Sequence, residues 1–180
     1  MNRIDEMREF VAVRIAVLTV SDTRTAADDA SGDTLVERLT DAGHVLAARG
    51  VVTDDRAVIA ARLRQWIADP AVDVILTTGG TGLTGRDVTV EAHRDVYEKE
   101  IEAFATVFTM VSLGKIGTSA VQSRACGGVA GGKYLFALPG SPGACRDAWD
   151  EILKGQLDYR HRPCNFVEIM SRLEEHKRRK

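Results

Sequence analysis

The chain has 180 residues, with 24 Lys and Arg against 26 Asp and Glu, and 44% of it is hydrophobic. That length fits one domain, and the composition is that of a globular chain able to build a core. The net charge of −2, with basic residues dispersed, excludes a dedicated nucleic-acid binder, which would be more basic and carry a recognisable module.

After a polar arm over residues 1–12, residues 13–20 (VRIAVLTV) form a near-continuous β-prone run that ends at the polar tip Ser21-Asp22-Thr23-Arg24. A strand apolar on both faces belongs in a covered parallel sheet. Residues 25–30 read as a loop with Asp28 and Asp29 exposed. Ser31 or Asp33 then caps a helix carrying Leu35, Val36 and Leu39 that stops near Gly43. Residues 44–52 give a second strand. Asp54 and Asp55 open an amphipathic helix with Ile59, Leu63, Trp66 and Ile67 at i, i+4, i+7 and i+8, and Pro70 follows its end. Residues 72–77 form a third strand that breaks into TTGGTGLTGRD. The order β-α-β-α-β with short connections predicts parallel strands with helices on both faces, and ligands beyond the carboxyl ends of the strands. Ser21, Asp22, Thr23, Asp54 and the glycine loop all fall at those ends.

Residues 89–100 read as a short helix running on to a second one, whose stripe is Ile101, Phe104, Phe108 and Val111. Val107 and Met110 widen the apolar band, which suits a buried helix or a subunit contact, with the subunit contact favoured. Residues 114–132 are glycine-rich and carry no clear periodicity. Residues 134–138 (YLFAL) are a last buried strand, cut off by Pro139-Gly140-Ser141-Pro142-Gly143, and the next helix places Cys145, Trp149, Ile152 and Leu153 on one face. The amides at its start can receive a negative charge. From Asp158 the chain turns polar. Residues 1–180 read as one domain, with 1–12 and 167–180 as flexible or peripheral arms and Lys177-Arg178-Arg179-Lys180 as a solvated end. The opening MNRIDEMREF is not a signal peptide, and no apolar run approaches the roughly 20 residues that span a bilayer. Cys126, Cys145 and Cys164 form no C-x-x-C pair and are expected to be reduced thiols packed as small hydrophobes. These features predict a cytoplasmic protein with no membrane partner.

The glycine loop has the composition of an anion cradle. Glycines let backbone N–H groups approach a phosphate, Thr77, Thr78, Thr81 and Thr84 offer hydroxyls, and Asp87 can hold a cation. Gly80-x-Gly82-x-x-Gly85 matches a dinucleotide fingerprint formally, but no helical apolar pattern opens behind it, and it follows the third strand rather than the first. A P-loop is excluded because the lysine of its G-K-[ST] signature is missing. Plainer readings exist for each residue. Asp87 can be a helix cap or the ion-pair partner of Arg86, Asp54 the N-cap of the helix it precedes, and Ser141 a turn residue or N-cap. His44, His93, His161 and His176 are scattered without metal spacing or a nucleophile nearby, and neither they nor the cysteines receive a role.

Four motifs in order, Ser21-Asp22-Thr23-Arg24, Thr78-Gly79-Gly80-Thr81-Gly82, Arg86-Asp87-Val88-Thr89 and Leu138-Pro139-Gly140-Ser141-Pro142-Gly143, resemble the MoaB/Mog family of molybdenum cofactor biosynthesis proteins. The likeness runs from about residue 13 to 166. It is closest to the MoaB branch through Gln122-Ser123-Arg124-Ala125 and Arg162-Pro163-Cys164-Asn165-Phe166. The resemblance implies an α/β fold, a three-layer α/β/α sandwich around a mostly parallel sheet, assembled as a homo-oligomer, trimer or hexamer. It implies Mg2+-dependent adenylyl transfer from ATP to molybdopterin, giving adenylylated molybdopterin and pyrophosphate. Asp54 and Asp87 then correspond to the family's functional aspartates, as catalytic residues and metal ligands. Ser21, Thr78, Gly79, Gly80, Thr81 and Gly82 would line the substrate site, with Gly140, Ser141 and Pro142 on the pterin side. Thr53 stands where proline often precedes the first aspartate, and catalytic competence varies within the MoaB branch. The alternative is therefore a non-catalytic molybdopterin-binding or carrier protein of the same fold.

Overall fold

The computed structural model describes residues 3–25 and 27–178. Its main sheet has six strands in the order β3-β2-β4-β7-β6-β5, formed by β2 (Arg14–Val20), β3 (Val45–Val52), β4 (Val74–Thr78), β5 (Lys99–Glu100), β6 (Cys126–Ala130) and β7 (Lys133–Leu138). The strands β3, β2, β4 and β7 run parallel, while β6 pairs antiparallel with both β7 and β5. The two-residue alternation of a strand sends Ile15, Val17, Val74 and Leu76 to one face and Ala16, Leu18 and Ile75 to the other. The first set packs with Leu35 and Leu39 of α1 (Ala30–Asp41), Phe104 and Phe108 of α4 (Glu102–Ile116) and Cys145 of α5 (Pro142–Ala148). The second packs with Ile59, Leu63 and Trp66 of α2 (Arg56–Ala68) and Ala92 of α3 (Thr89–Arg94). This is the expected three-layer sandwich around a mostly parallel sheet.

Several local expectations are corrected. The cap of α1 is neither Ser31 nor Asp33 but Asp29, whose carboxylate accepts from the Gly32 amide at 2.9 Å. Asp29 is buried rather than exposed. Thr19 Oγ1 donates to it at 2.6 Å and Arg49 pairs with it at 3.0 Å, which compensates for the loss of water around the charge. The predicted helix over residues 89–100 ends at Arg94 and gives way to β5, and the glycine-rich stretch conceals β6. A side chain at Gly127 would meet the Phe136 ring at 2.9 Å, and one at Gly128 the Tyr97 ring at 2.5 Å. The glycines let two aromatic rings lie flat on the sheet, so this strand carries no apolar alternation of its own. Cys126 and Cys145 are buried as expected, but Cys164 is exposed.

Both arms are tied to the body. β1 (Arg3–Ile4) pairs antiparallel with β8 (His161–Arg162), Arg8 pairs with Glu168 at 3.0 Å, and the Phe166 ring lies 4.7 Å from that of Tyr134. Of the basic end, Lys177 pairs with Glu174 and Glu98, while Arg179 and Lys180 lie outside the described residues, as does Ala26 of the loop over 25–30. Glu102–Gln122, which is α4 and the 3-10 turn Gly117–Gln122, is long and apolar enough to cross a membrane by length and composition. The expectation that no segment approaches that length is therefore corrected. Here the segment lays Phe104 and Phe108 on the sheet and bends at Gly117, while Met110, Leu113 and Ile116 stay exposed.

His93 is wholly buried beneath the strand tips, with Nε2 2.8 Å from Thr77 Oγ1 and Nδ1 2.9 Å from the Tyr97 hydroxyl. Burial pushes its pKa down to about 3, so the ring is neutral in the fold. The unfolded chain binds the proton near pH 6.5, so the stabilising contribution of a neutral His93 is present above that pH and is lost as pH falls from about 6.5 towards 3. The difference in melting temperature between the wild type and His93→Gln should accordingly be largest at neutral pH and shrink on acidification. A difference flat from pH 7 to 4 would contradict this.

Candidate active site

The parallel strands β2, β3, β4 and β7 end side by side, and the chain after each tip contributes to one surface. The loop after β4 turns sharply because Gly79 (φ +98°) and Gly80 (φ +63°) occupy the left-handed region that favours glycine. The turn is fixed by Gly79 N donating to Leu138 O at 3.1 Å, Thr89 N to Gly80 O at 2.9 Å, and Thr89 Oγ1 to Gly79 O at 2.8 Å. A methyl group at Gly140 would stand 3.0 Å from the Gly79 Cα, so the two glycine-bearing loops are in contact.

Asp54 is not the cap of α2. Asp55 is, accepting from the amides of Ala57 and Val58 at 2.8 and 3.0 Å. The Asp54 carboxylate is left to face the glycine loop, with Oδ1 2.8 Å from where a Gly80 Cβ would stand. Its amide donates to Asp22 Oδ1 at 3.0 Å, and Asp22 also pairs with Arg86. Burial raises the Asp54 pKa, and the neighbouring charges of Asp22 and Asp87 add to the effect against the opposing pull of the Asp22 backbone amide and of Arg86.

Both plainer readings of Asp87 also fail. Arg86 pairs with Asp22 instead, and the residue at the cap position of α3 is Val88, with no side-chain hydrogen bond. Asp87 Oδ2 accepts from Thr84 N at 2.8 Å and Thr84 Oγ1 at 2.7 Å, and it lies 2.8 Å from where a Gly82 Cβ would stand. Burial alone would raise its pKa, but the Thr84 bonds and the Gly82 amide outweigh that and hold it below the usual carboxylate range. The two aspartates thus lie against one stretch, Gly80 to Gly82. One is ionised and firmly held, and the other is crowded by like charge.

The hydroxyls divide differently from expectation. Thr77 bonds His93. Thr78, fully buried, donates to Pro139 O at 2.9 Å and lies 3.2 Å from Cys145 Sγ, and Thr84 serves Asp87. Thr81 is nearly buried. These threonines shape the loop, and with Gly79 N on Leu138 O and Thr84 N on Asp87, the amides suited to an anion are those of Gly80 and Thr81. Ser21 accepts from the amides of Thr23 and Arg24 at 3.3 and 3.1 Å, closing the tip after β2. Ser141 is the N-cap of α5, accepting from Ala144 N at 3.1 Å, and Pro142 opens that helix. Gly140 O accepts from Ser31 Oγ at 2.9 Å and Arg24 at 3.1 Å, which binds the third loop to the first.

The sequence marks no site role for Arg24, Glu91 or Arg124, places Asp22 at a strand end without a partner, and offers Ser31 only as a helix cap. Arg124 reaches the loop from residues next to β6, with Nε 3.0 Å from both Thr81 O and Gly82 O. Among the described residues no group of three or more His, Cys, Asp and Glu gathers for a metal. Two carboxylates nevertheless match what Mg2+ takes from a protein, because it keeps waters and draws its remaining ligands from substrate phosphates. A cavity of about 630 Å3 lined by Ile101, Phe104, Val107, Ile152 and Phe166 lies elsewhere and includes none of these residues.

A family described as "Probable molybdopterin binding domain" matches residues 16–159. The chain is 48% identical over 158 residues to molybdenum cofactor biosynthesis protein B of Escherichia coli (strain K12), covering 88% of this chain and 93% of that one. It is 44% identical over 148 residues to the protein of the same name from Bacillus cereus, covering 82% and 88%. Among solved structures it superposes on a molybdenum cofactor biosynthesis protein B with a TM-score of 0.84, at 40% identity and covering 93% and 99% of the two chains. For the tungsten cofactor synthesizing protein MoaB from Pyrococcus furiosus the TM-score is 0.71, at 27% identity and covering 93% and 98%. The chain belongs to the MoaB/Mog family of molybdenum cofactor biosynthesis proteins.

Proposed function

We propose that, within molybdenum cofactor biosynthesis, this chain is a molybdopterin adenylyltransferase that moves AMP from ATP to molybdopterin and releases pyrophosphate. One observation carries the reading. Two carboxylates whose pKa values are shifted in opposite directions flank the stretch Gly80 to Gly82 at the strand tips, with no serine, cysteine or histidine side chain hydrogen-bonded to either among the described residues. Adenylyl transfer asks for such a site. The terminal phosphate of molybdopterin is already anionic, so its oxygen attacks the α-phosphorus without a side-chain base, and the bond to the pyrophosphate oxygen breaks. What the protein must do is hold two polyanions in line and offset the charge that develops.

In this reading the loop from Gly79 to Gly82 takes ATP phosphates on the amides of Gly80 and Thr81, and Gly140, Ser141 and Pro142 face the pterin side. Ser21 and Thr78 keep the loops in register. Asp87 and Asp54 hold Mg2+, which would supply positive charge against the phosphate oxygens. The exposed Met110, Leu113 and Ile116 on α4 supply an apolar face for assembly into a trimer or hexamer. The substrates are small soluble molecules, which suits a cytoplasmic protein.

The test is to mix the purified chain with molybdopterin, ATP and Mg2+ and to assay pyrophosphate. Release that requires all three is the expected result. Molybdopterin bound without pyrophosphate would instead establish the carrier reading. A rise in melting temperature with saturating NAD(H) would revive the dinucleotide one.

A further inference from the structure

We infer that Arg124 is the positioning residue of this site, holding the loop from Thr81 to Asp87 in its ligand-ready shape by collecting its carbonyl groups. Nε donates to Thr81 O and Gly82 O, both at 3.0 Å, and Nη2 donates to Asp87 O at 3.2 Å. The same guanidinium is anchored by Glu91 of α3, with Nη1 2.5 Å from Oε1 and Nη2 3.2 Å from Oε2. One side chain therefore ties together the glycine loop, the metal-side aspartate's backbone, α3 and the approach to β6.

The consequence follows from peptide geometry. In a trans peptide the N–H points opposite to the C=O. Three carbonyls drawn onto one cation turn the amides of Gly82, Leu83 and Val88 away from it. The Gly82 amide joins Thr84 in lowering the pKa of the Asp87 carboxylate, which lies 2.8 Å from where a Gly82 Cβ would stand, so Arg124 acts on Asp87 through the loop. The stretch between β4 and α3 has no ladder of its own and begins with two left-handed glycines. Fixing such a segment costs backbone entropy, and doing so before the ligand arrives is what makes amide donors effective against developing charge. A planar five-donor fork can serve three carbonyls on one edge and a carboxylate on the other. An ammonium is a point charge and cannot. Arg124 needs no contact with the substrate for this.

The inference rests on the adenylyl-transfer reading for its rate effect, but not for its structural effect. In Arg124→Ala, kcat for pyrophosphate release should fall on the order of 10²-fold, the scale of a misplaced reacting group, with KM for ATP changed much less. Arg124→Lys keeps the charge and should be as slow, and added guanidinium should partly restore Arg124→Ala but not Arg124→Lys. Hydrogen–deuterium exchange supplies the second readout. Amides of residues 79–88 should exchange faster in both variants, while those of β2 and β4 keep their wild-type rates. Full activity in Arg124→Lys, or unchanged exchange in the loop, overturns the inference. General acceleration including β2 and β4 in both variants overturns it too, since the role would then be structural. If the wild type itself releases no pyrophosphate, the adenylyl-transfer reading fails, and loop exchange alone decides the role of Arg124.

Discussion

Asp87→Asn should lower Mg2+-dependent pyrophosphate release by on the order of 10²–10³ while leaving the fold intact, the cost typical of removing one electrostatic group from a site built around developing charge. The substitution is nearly isosteric. Its amide oxygen can still accept from Thr84 N and Oγ1, which now hold Asp87 at 2.8 and 2.7 Å, so the loop keeps its local hydrogen bonds. What disappears is a carboxylate against the glycine loop that is held below its ordinary pKa. Asp54→Asn removes charge from the opposite environment, where burial and the charges of Asp22 and Asp87 already disfavour ionisation. That variant should also lose rate, yet melt no lower than wild type, because a like-charge repulsion is relieved. Steady-state pyrophosphate assays at several Mg2+ concentrations, paired with thermal denaturation, check both. An Asp87→Asn enzyme with unchanged Mg2+-dependent rate would remove the metal role from that residue.

Much of this site is legible in the sequence because it sits where local pattern is strongest. The runs that became β2, β4 and β7 are apolar on both faces, each stops at a polar or glycine-rich tip, and parallel order sends those tips to one edge. The same pattern, taken one step further, argues against Thr77 and Thr78 as ligand contacts. A strand buried on both faces points consecutive side chains into the two cores, and both threonines are indeed fully buried. Asp54 was ambiguous for a different reason. Either Asp54 or Asp55 could cap α2, and only the backbone shows that Asp55 does, which frees its neighbour. Asp29 was misread because its partners, Thr19 and Arg49, come from two other strands. Arg124 stands in a motif that carries the resemblance, but its role is not legible there: it lies more than forty residues from the carbonyls of Thr81 and Gly82, and no period or spacing links them. β6 was hidden because its packing is supplied by the rings of Tyr97 and Phe136 on neighbouring elements.

Gly79→Ala should be among the most damaging single methyl additions in the chain, and Gly85→Ala nearly silent, although the two lie on the same loop. At Gly79 the backbone is left-handed, and an added Cβ would press into the carbonyl oxygen of Val20. Val20 is the last residue of central strand β2, in register with Val52 of β3, so it cannot give way. The loop must move instead, losing the bond from Gly79 N to Leu138 O and the one from Thr89 Oγ1 to Gly79 O. Left-handed strain of about 1 kcal/mol and overpacking of about 1–3 kcal/mol suggest a loss of about 2–4 kcal/mol. In a chain of this size that is a fall in melting temperature of roughly 5–15 °C. At Gly85 nothing lies within 4 Å of the added methyl, and φ is outside the left-handed region, so the change should stay within about 0.5 kcal/mol. The contrast also tests what the glycines are for. In a dinucleotide fingerprint the third glycine, here Gly85, is needed for close packing of helix on strand. In this loop the demanding positions are Gly79, which must clear Val20, and Gly80 and Gly82, where a side chain would collide with the carboxylates of Asp54 and Asp87. An intolerant Gly85 beside a tolerant Gly79 would reverse the assignment; the opposite ranking ties the glycine pattern to seating two aspartates.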